Sequence, residues 1–391
     1  MKIITRSSAA EDPETLAAEL TDGVAPAPDF LSLHASATTD LAGLRDAVLR
    51  RTGAPRLHGG TSCRGVMTGA GARLRPGAGL FAIHDPDGAY GVGSARIADD
   101  PRIAGRAAAA AALADAGRPG EQPDLLWITA APGAEEAVLA GIADAVGAAV
   151  PVIGASAADD DVAGLWRMVD ARADFRDGVV VSALFPSTPF GFAYQNGYAQ
   201  TEHAGVATRA SGRLLREIDG RPARAVLAEW SGGALAPEGA DASILSASTF
   251  HPLARGGGDA PLEAAWRLLA HPATAHADGA VTLFADVAQG EALRMMRGTP
   301  DGLVSRAARV ARLARDVAGL DAAPPAGALM VYCGGCMMAV EGRMDEVAAD
   351  VAAAVDGAPF LGVFSFGEQG MGADGCNAHG NLMISCVVFG A

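Results

Sequence analysis

Leu361-Gly-Val-Phe-Ser-Phe-Gly-Glu-Gln-Gly370 decides how this chain is read. It opens on apolar residues, as a buried strand does, and breaks at Gly367 and Glu368. Two earlier stretches have the same shape: Leu57-His-Gly-Gly-Thr-Ser-Cys63 and Val152-Ile-Gly-Ala-Ser-Ala-Ala-Asp159. Each reads as a short strand running into a turn of small or hydroxyl-bearing residues. If the three ends converge, a site lies between them.

Working outward, the order of elements repeats. Asp29 to His34 reads as a strand, and Asp40 caps a helix from Leu41 to Arg51 whose Leu41, Leu44, Val48 and Leu49 share one face. The strand Arg56 to Gly60 follows. Gly79–His84 and Ala89–Ser94 read as a hairpin about Asp85-Pro-Asp-Gly88. A helix from Pro101, a strand at Asp124–Thr129, a helix over 133–147 and a strand at Pro151–Gly154 repeat the order, with a second hairpin from Leu165–Val169 to Gly178–Phe185. This reads as an internal duplication. The stretches 231–241 and 254–261 read as loops. Beyond them come strands at Ala280–Asp286 and Ala292–Met296, a helix over Leu303–Leu320, a strand at Gly327–Tyr332 and a helix over Met344–Val355. Asn381–Phe389 reads as a strand buried on both faces. The expected fold is α/β: two modules, 1–217 and 218–391, of repeated strand–helix–strand–hairpin units with mixed sheets flanked by helices.

Composition narrows the chemistry. The chain has 391 residues, half of them hydrophobic, and a formal charge of −15. An acidic surface repels phosphate backbones, so nucleic acid is not an expected partner. No apolar run has the length of a membrane span, and the N-terminus lacks a signal-peptide core; the expectation is a cytoplasmic protein with no membrane partner. Lys2 is the sole lysine, which removes Schiff-base chemistry and a Gly-Lys-Ser/Thr phosphate loop. Five cysteines in a chain of this size do not suggest a disulfide framework.

Cys333-Gly-Gly-Cys336 has the spacing of a metal or dithiol pair. Cys376 and His379 would complete a four-ligand metal set. Against the dithiol reading, the pair is not expected to open a helix, and small residues at a strand end are the structural alternative. Cys63, beside Arg64, is a candidate nucleophile, with His34, His58 or His84 as candidate bases; the alternative is a buried neutral thiol. Asp159, Asp160 and Asp161 follow Ser156 and could hold a cation or an amine, or form an exposed acidic turn. Glu368 after Gly367 would face whatever lies above the sheet. His251 and His271, each before a proline, are candidate axial haem ligands, but no Cys-x-x-Cys-His occurs, so covalent haem is excluded.

In order, Gly59-Gly60-Thr-Ser62-Cys63-Arg64-Gly65-Val66, Ile153-Gly154-Ala155-Ser156-Ala-Ala-Asp159-Asp160 and Leu361-Gly362-Val363-Phe364-Ser365-Phe366-Gly367-Glu368 resemble the motifs of FIST-domain proteins. The resemblance covers nearly the whole chain. It implies a sensory protein of bacterial signal transduction that binds a small ligand, such as an amino acid, through Ser62, Cys63, Arg64, Ser156, Asp159, Asp160, Ser365 and Glu368. Some members resemble nitric-oxide sensors that bind haem through a histidine and regulate a histidine kinase or a cyclic-di-GMP enzyme; such a partner would be a separate protein here. Cys63 and Arg64 stand near the family's usual Thr and Ala, Val66 near its frequent Glu, and Cys333-Gly-Gly-Cys336 near a Ser/Cys-x-Gly-Arg-like turn. These departures imply a different ligand. Two other readings stay open: an enzyme on a small amide-like substrate with Cys63 or Cys336 as nucleophile and Glu368 or a histidine as base, and a metal or redox protein built on Cys333 and Cys336.

Overall fold

The structure is a computed structural model and describes residues 1–256, 264–320 and 324–391. The α/β expectation holds, and the repeat occurs three times rather than twice. Each unit runs strand, helix, strand, helix, strand, short hairpin, strand. Unit 1 comprises Lys2–Ser8, Pro13–Leu20, Phe30–Ala35, Leu41–Thr52, Leu57–Thr61, the hairpin Gly65–Thr68 with Gly71–Leu74, and Ala78–His84. Unit 2 comprises Ala89–Arg96, Pro101–Asp115, Leu125–Ala130, Glu135–Val146, Val152–Ser156, the hairpin Met168–Asp170 with Asp174–Phe175, and Gly178–Phe185. Unit 3 comprises Phe190–Gln195, Pro300–Val317, Pro325–Cys333, Met344–Ala354, Phe360–Ser365, the hairpin Glu368–Met371 with Asn377–Gly380, and Ile384–Gly390. The first helix of every unit starts the same way. Asp12, Asp100 or Thr299 caps it, and a proline, whose missing N–H costs nothing there, takes the next position.

Each unit builds a six-stranded sheet in one order: first strand, last strand, second, third, then a hairpin that is not its own. Met168–Asp170 of unit 2 pairs with Leu57–Thr61 of unit 1. Glu368–Met371 of unit 3 pairs with Val152–Ser156 of unit 2. Gly65–Thr68 of unit 1 pairs with Phe360–Ser365 of unit 3. The exchange closes a ring. It corrects both expected hairpins. Ala78–His84 pairs with Lys2–Ser8 and Phe30–Ala35, and Ala89–Arg96 pairs with Gly178–Phe185, so Asp85-Pro-Asp-Gly88 joins two units instead. The buried Asp85 carboxylate accepts from Tyr90 Oη at 2.7 Å and from Ser187 N at 2.9 Å, which satisfies this turn without hairpin pairing. Met168–Asp170 and Gly178–Phe185 likewise lie in different sheets.

The inner faces of the three sheets share one core, with Phe30 and Phe81 from unit 1, Trp127 and Ile153 from unit 2, and Val331, Leu361 and Phe389 from unit 3. Each outer face is covered by that unit's helices. The helices sit close because glycine lies beneath them: a Cβ at Gly91 would meet Ala112 O at 2.2 Å, and one at Gly191 would meet Ala314 O at 2.2 Å.

Unit 3 differs by an insertion. Between Gln195 and Thr299 the chain makes a further sheet around the long strand Ala199–Ser211. That strand pairs with Ala292–Arg297 towards one end and with Leu214–Ile218 towards the other, and the sheet has its own core. Residues 217 and 218 both lie in the strand Leu214–Ile218. The stretch 231–241 is irregular; the stretch 254–261 read as loop begins within the strand Leu253–Arg255 and from 257 on lies outside the described residues. Among the described residues no helix is long and apolar enough to cross a membrane.

Candidate functional site

The register fixes which strand-end residues are equivalent. In the parallel pairs, Thr61 lies opposite Ala35, Ser156 opposite Ala130 and Ser365 opposite Cys333. Thr61, Ser156 and Ser365 therefore hold one place in three units. The three turns also touch. Cys63 N donates to Phe364 O at 2.9 Å, Ala158 N to Thr61 O at 3.1 Å, and Ser156 N to Gly367 O at 2.7 Å. The ends converge, but backbone fills the point where they meet.

Most of the sequence candidates serve that closure. Ser62 Oγ donates to Gly65 O and accepts from Phe364 N at 2.7 Å. Asp159 is buried and accepts from Val162 N at 2.7 Å and Leu165 N at 2.6 Å, so it shapes its own loop. Asp160 accepts from Arg64 N at 2.7 Å. Arg64 has φ of 63° and pairs with Glu341 at 2.5 Å. Ser156 donates to Glu135 at 2.6 Å. Burial, reinforced by Asp160, pushes the Cys63 thiol up to about 12, so it stays protonated near neutrality. His34 and His58 are not its bases: His34 Nε2 meets Ser32 Oγ at 3.0 Å, while His58 uses both ring nitrogens on Ser182 and Thr129 at 2.8 Å.

Unit 3 is different. Where the strands ending in Cys333 and Ser365 stop, a narrow cleft of about 30 Å³ opens, room for one water-sized group. Cys333, Gly335, Met338, Ser365, Phe366 and Asn381 of unit 3 form its floor; Leu245, His271 and Phe284 of the insertion and Val162 of unit 2 form its walls. Its place, beyond the carboxyl ends of parallel strands, is where α/β sheets commonly bind ligands. The insertion is tied down beside it, since His271 N donates to Asn381 Oδ1 at 3.2 Å and Asn381 N to Leu269 O at 2.9 Å. A wider opening of about 750 Å³ lies between the helix Pro300–Val317 and the end of unit 3's first strand, lined by the exposed Arg309, Arg312 and Asp316 and by Gln195 and Asn196; it shares no lining residue with the cleft.

Behind the cleft wall sits a buried polar cluster. Ser365 Oγ is 2.5 Å from Glu368 Oε1, and Glu368 Oε2 accepts from Met383 N at 2.9 Å. Burial pushes the Glu368 carboxyl up to about 8, against the pull of those two partners, so it is neutral near pH 7. Burial holds His271 down to about 4, leaving a neutral ring whose Nε2 is 3.1 Å from Leu245 O. His251 is half-buried and bonds Ala247 O of the short helix Leu245–Ser248 that precedes it.

The cysteine pair corrects an expectation. Cys333 caps, and Cys336 lies within, the short helix Gly334–Ala339, so the pair does open a helix. Tyr198 Oη is 3.4 Å from Cys336 Sγ. Burial alone would raise Cys336, but the Cys333 thiol, the Arg306 guanidinium and the Tyr198 hydroxyl outweigh it and hold Cys336 down at about 6. Cys333 moves the other way, chiefly through burial. The expected metal set does not assemble: Cys376 is exposed, His379 is buried, and among the described residues the group of three or more possible ligands within reach of one another is Glu135, Glu136 and His379. Arg213 already occupies both of those carboxylates, at 2.6 and 3.0 Å.

Sequence reading named Cys333, Ser365, Glu368 and His271 but missed Asn381, Phe284 and Arg306. Arg306 carried a signal: it stands three residues after Leu303 and four before Val310, on the apolar face of its helix.

The FIST N domain model matches residues 29–221 and the FIST C domain model residues 223–371. The chain belongs to the FIST family. FIST domains are small-ligand sensory domains of signal transduction. No curated protein matches this FIST chain. Among solved structures, the cyanuric acid hydrolase from A. caulinodans is similar at 10% identity with a TM-score of 0.39, over 99% of this chain and 98% of that one. A second cyanuric acid hydrolase structure is similar at 12% identity with a TM-score of 0.34, over 100% and 99%. At those scores neither bears on the activity of the FIST chain.

Proposed function

We propose that this FIST protein is a sensor whose small ligand enters the cleft between unit 3 and its insertion. The observation that carries the reading is the composition of that cleft. Four uncharged polar residues, Ser365, Cys333, Asn381 and His271, line one small space together with the apolar Val162, Leu245, Phe284 and Phe366. Such a lining suits the polar head of an uncharged or zwitterionic small molecule; the space seen here holds only a water-sized group, so the rest of the ligand enters as the insertion parts from unit 3. His271 belongs to the insertion and Ser365 to unit 3, so a ligand that bridges them pulls the two together or parts them, and that displacement is what a separate histidine kinase or cyclic-di-GMP enzyme would read.

A haem-bound nitric-oxide sensor fits this geometry less well. A macrocycle needs a pocket of several hundred Å³, whereas the space at His271 is about 30 Å³, and His271 Nε2 already faces Leu245 O. The cysteine-enzyme reading meets a protonated Cys63 and a Cys336 with no exposed surface.

A thermal-shift screen of amino acids and related metabolites tests the proposal, alongside an absorption spectrum of protein from haem-supplemented cells with and without nitric oxide. The expected result is a saturable shift that His271→Ala and Ser365→Ala abolish and Cys63→Ala retains. A nitric-oxide-sensitive Soret band, or a ligand shift indifferent to His271 and Ser365, would overturn it.

A further inference from the structure

We propose that the groove between the helix Pro300–Val317 and the end of the strand Phe190–Gln195 is a second ligand site, one that takes a small phosphate monoester on Arg309 and Arg312. Arg306, Arg309, Arg312 and Arg315 recur at every third residue of that helix. Two of them serve the fold. Arg306 is fully buried and donates to Leu382 O at 2.8 Å, and Arg315 pairs with Asp356 at 2.7 Å. The other two are exposed and line the groove. Arg309 gives one hydrogen bond, from Nη2 to Asn196 O at 3.2 Å. Arg312 has no hydrogen bond or ion pair among the described residues, and neither arginine has a carboxylate within ion-pair distance there.

Gln195 points the same way. Its side chain is 6% exposed and lines the groove, yet its amide has no hydrogen-bond partner among the described residues. A polar side chain buried to that degree and left unpaired is costly; a ligand oxygen in the groove would satisfy its N–H. Charge agrees with this. Partial burial, then the like charges of Arg306 and Arg312, hold the Arg309 guanidinium below its ordinary value, and a bound anion relieves that repulsion.

The groove also sets the ligand class. Its volume of about 750 Å³ holds a small metabolite. Two guanidiniums one helical turn apart match a phosphate monoester, which carries a charge of about −2 and three acceptor oxygens. A carboxylate has two oxygens, and a single guanidinium fills both. Leu313, Ala264, Ala265 and the ring of Tyr198 line the rest of the groove and give the esterified part an apolar surface. Asp316 stands one turn beyond Arg312 and also lines the groove, so a second anionic group is repelled. Unit 3 supplies the arginines and Gln195, and the insertion supplies Ala264 and Ala265.

The test is calorimetric titration of the full chain, in phosphate-free buffer, with phenyl phosphate, inorganic phosphate and succinate in turn. Phenyl phosphate is expected to bind once per chain, more tightly than the other two, and to weaken as salt rises. Arg309→Gln and Arg312→Gln, changes at exposed positions, should each weaken it about tenfold, and Gln195→Leu about fivefold. Asp316→Asn should strengthen it about twofold, a gain that damage to the helix would not produce. The proposal is overturned if phenyl phosphate does not bind. It is overturned equally if both arginine variants bind it as wild type does while Ser365→Ala does not, which would put the anion in the cleft. Succinate or inorganic phosphate binding as tightly as phenyl phosphate overturns the assignment to a phosphate monoester.

Discussion

Thr61 in unit 1 and Ser365 in unit 3 occupy the same place in the same fold, yet they have opposite fates. Thr61 Oγ1 accepts from Arg167 N at 2.9 Å, locking unit 2's hairpin onto unit 1. Ser365 sits over a neutral carboxyl and borders a cleft. The cysteines beside them differ as much. Cys63 is pushed up to about 12 by burial near Asp160, and Cys336 is held at about 6 opposite Arg306. The repeat supplies three equivalent strand ends; the insertion, standing over one of them with Leu245, His271 and Phe284, makes that one a site.

The largest way to break this comparison is Arg306→Met. It should cost about 3 kcal/mol in urea denaturation, because the buried bond to Leu382 O and the packing of the guanidinium on the rings of Tyr198 and Tyr332 are lost. Adding Cys336→Ala to it should cost less than the two single changes together, as residues that share a partner do. Additive costs would deny that the two form a pair.

Glu368→Gln comes next. The folded value of about 8 lies above the ordinary carboxylate range. The stability this group contributes is therefore whole below the unfolded value and is lost as pH rises through 8. Between pH 6 and pH 8 wild type should lose about 2 kcal/mol more than Glu368→Gln. Parallel pH profiles would mean that Glu368 is ionised.

Thr61→Ala and Ser365→Ala should each cost about 1 kcal/mol by chemical denaturation, the worth of an ordinary hydrogen bond. They should part in ligand thermal shift, which Thr61→Ala leaves alone. The smallest effect is expected from Glu341→Gln. Its carboxylate takes Arg64 and Arg75 at the half-exposed rim where unit 1's turn meets unit 3. Such pairs contribute under about 1 kcal/mol, and a larger melting-temperature loss would mean that ion pairs, not backbone bonds, hold unit 1's turn closed.

Much of this was legible along the chain. Residues before proline and glycine punctuation marked the helices and strands, and Leu361–Gly370 identified a strand end that does border the site. What the chain did not display was partnership. Asp85-Pro-Asp-Gly88 has the chemistry of a hairpin turn, but which strand pairs with which depends on buried faces, and Ser187, far along the chain, satisfies Asp85. The site is similar. Ser365, Cys333 and His271 stood out as residue types, but Phe284 and Leu245 are ordinary apolar residues that matter because the insertion delivers them to Ser365. Local pattern also set the cysteine pair at a strand end outside a helix; packing of Met337 and Cys336 into the core overrode that.

The ring of exchanged hairpins has a consequence for how the chain is made. When unit 1 leaves the ribosome, the edge of Leu57–Thr61 has no neighbour until Met168–Asp170 follows, and the hairpin Gly65–Leu74 has no sheet to join until Phe360–Ser365 is synthesised. The first-made hairpin waits for almost the last strand. An open chain in that interval offers an unpaired edge and a detached hairpin that fit one another's complements, so two nascent chains can close each other's rings. Expression at high chain density should then yield interlocked dimers with the same strand pairing as the monomer.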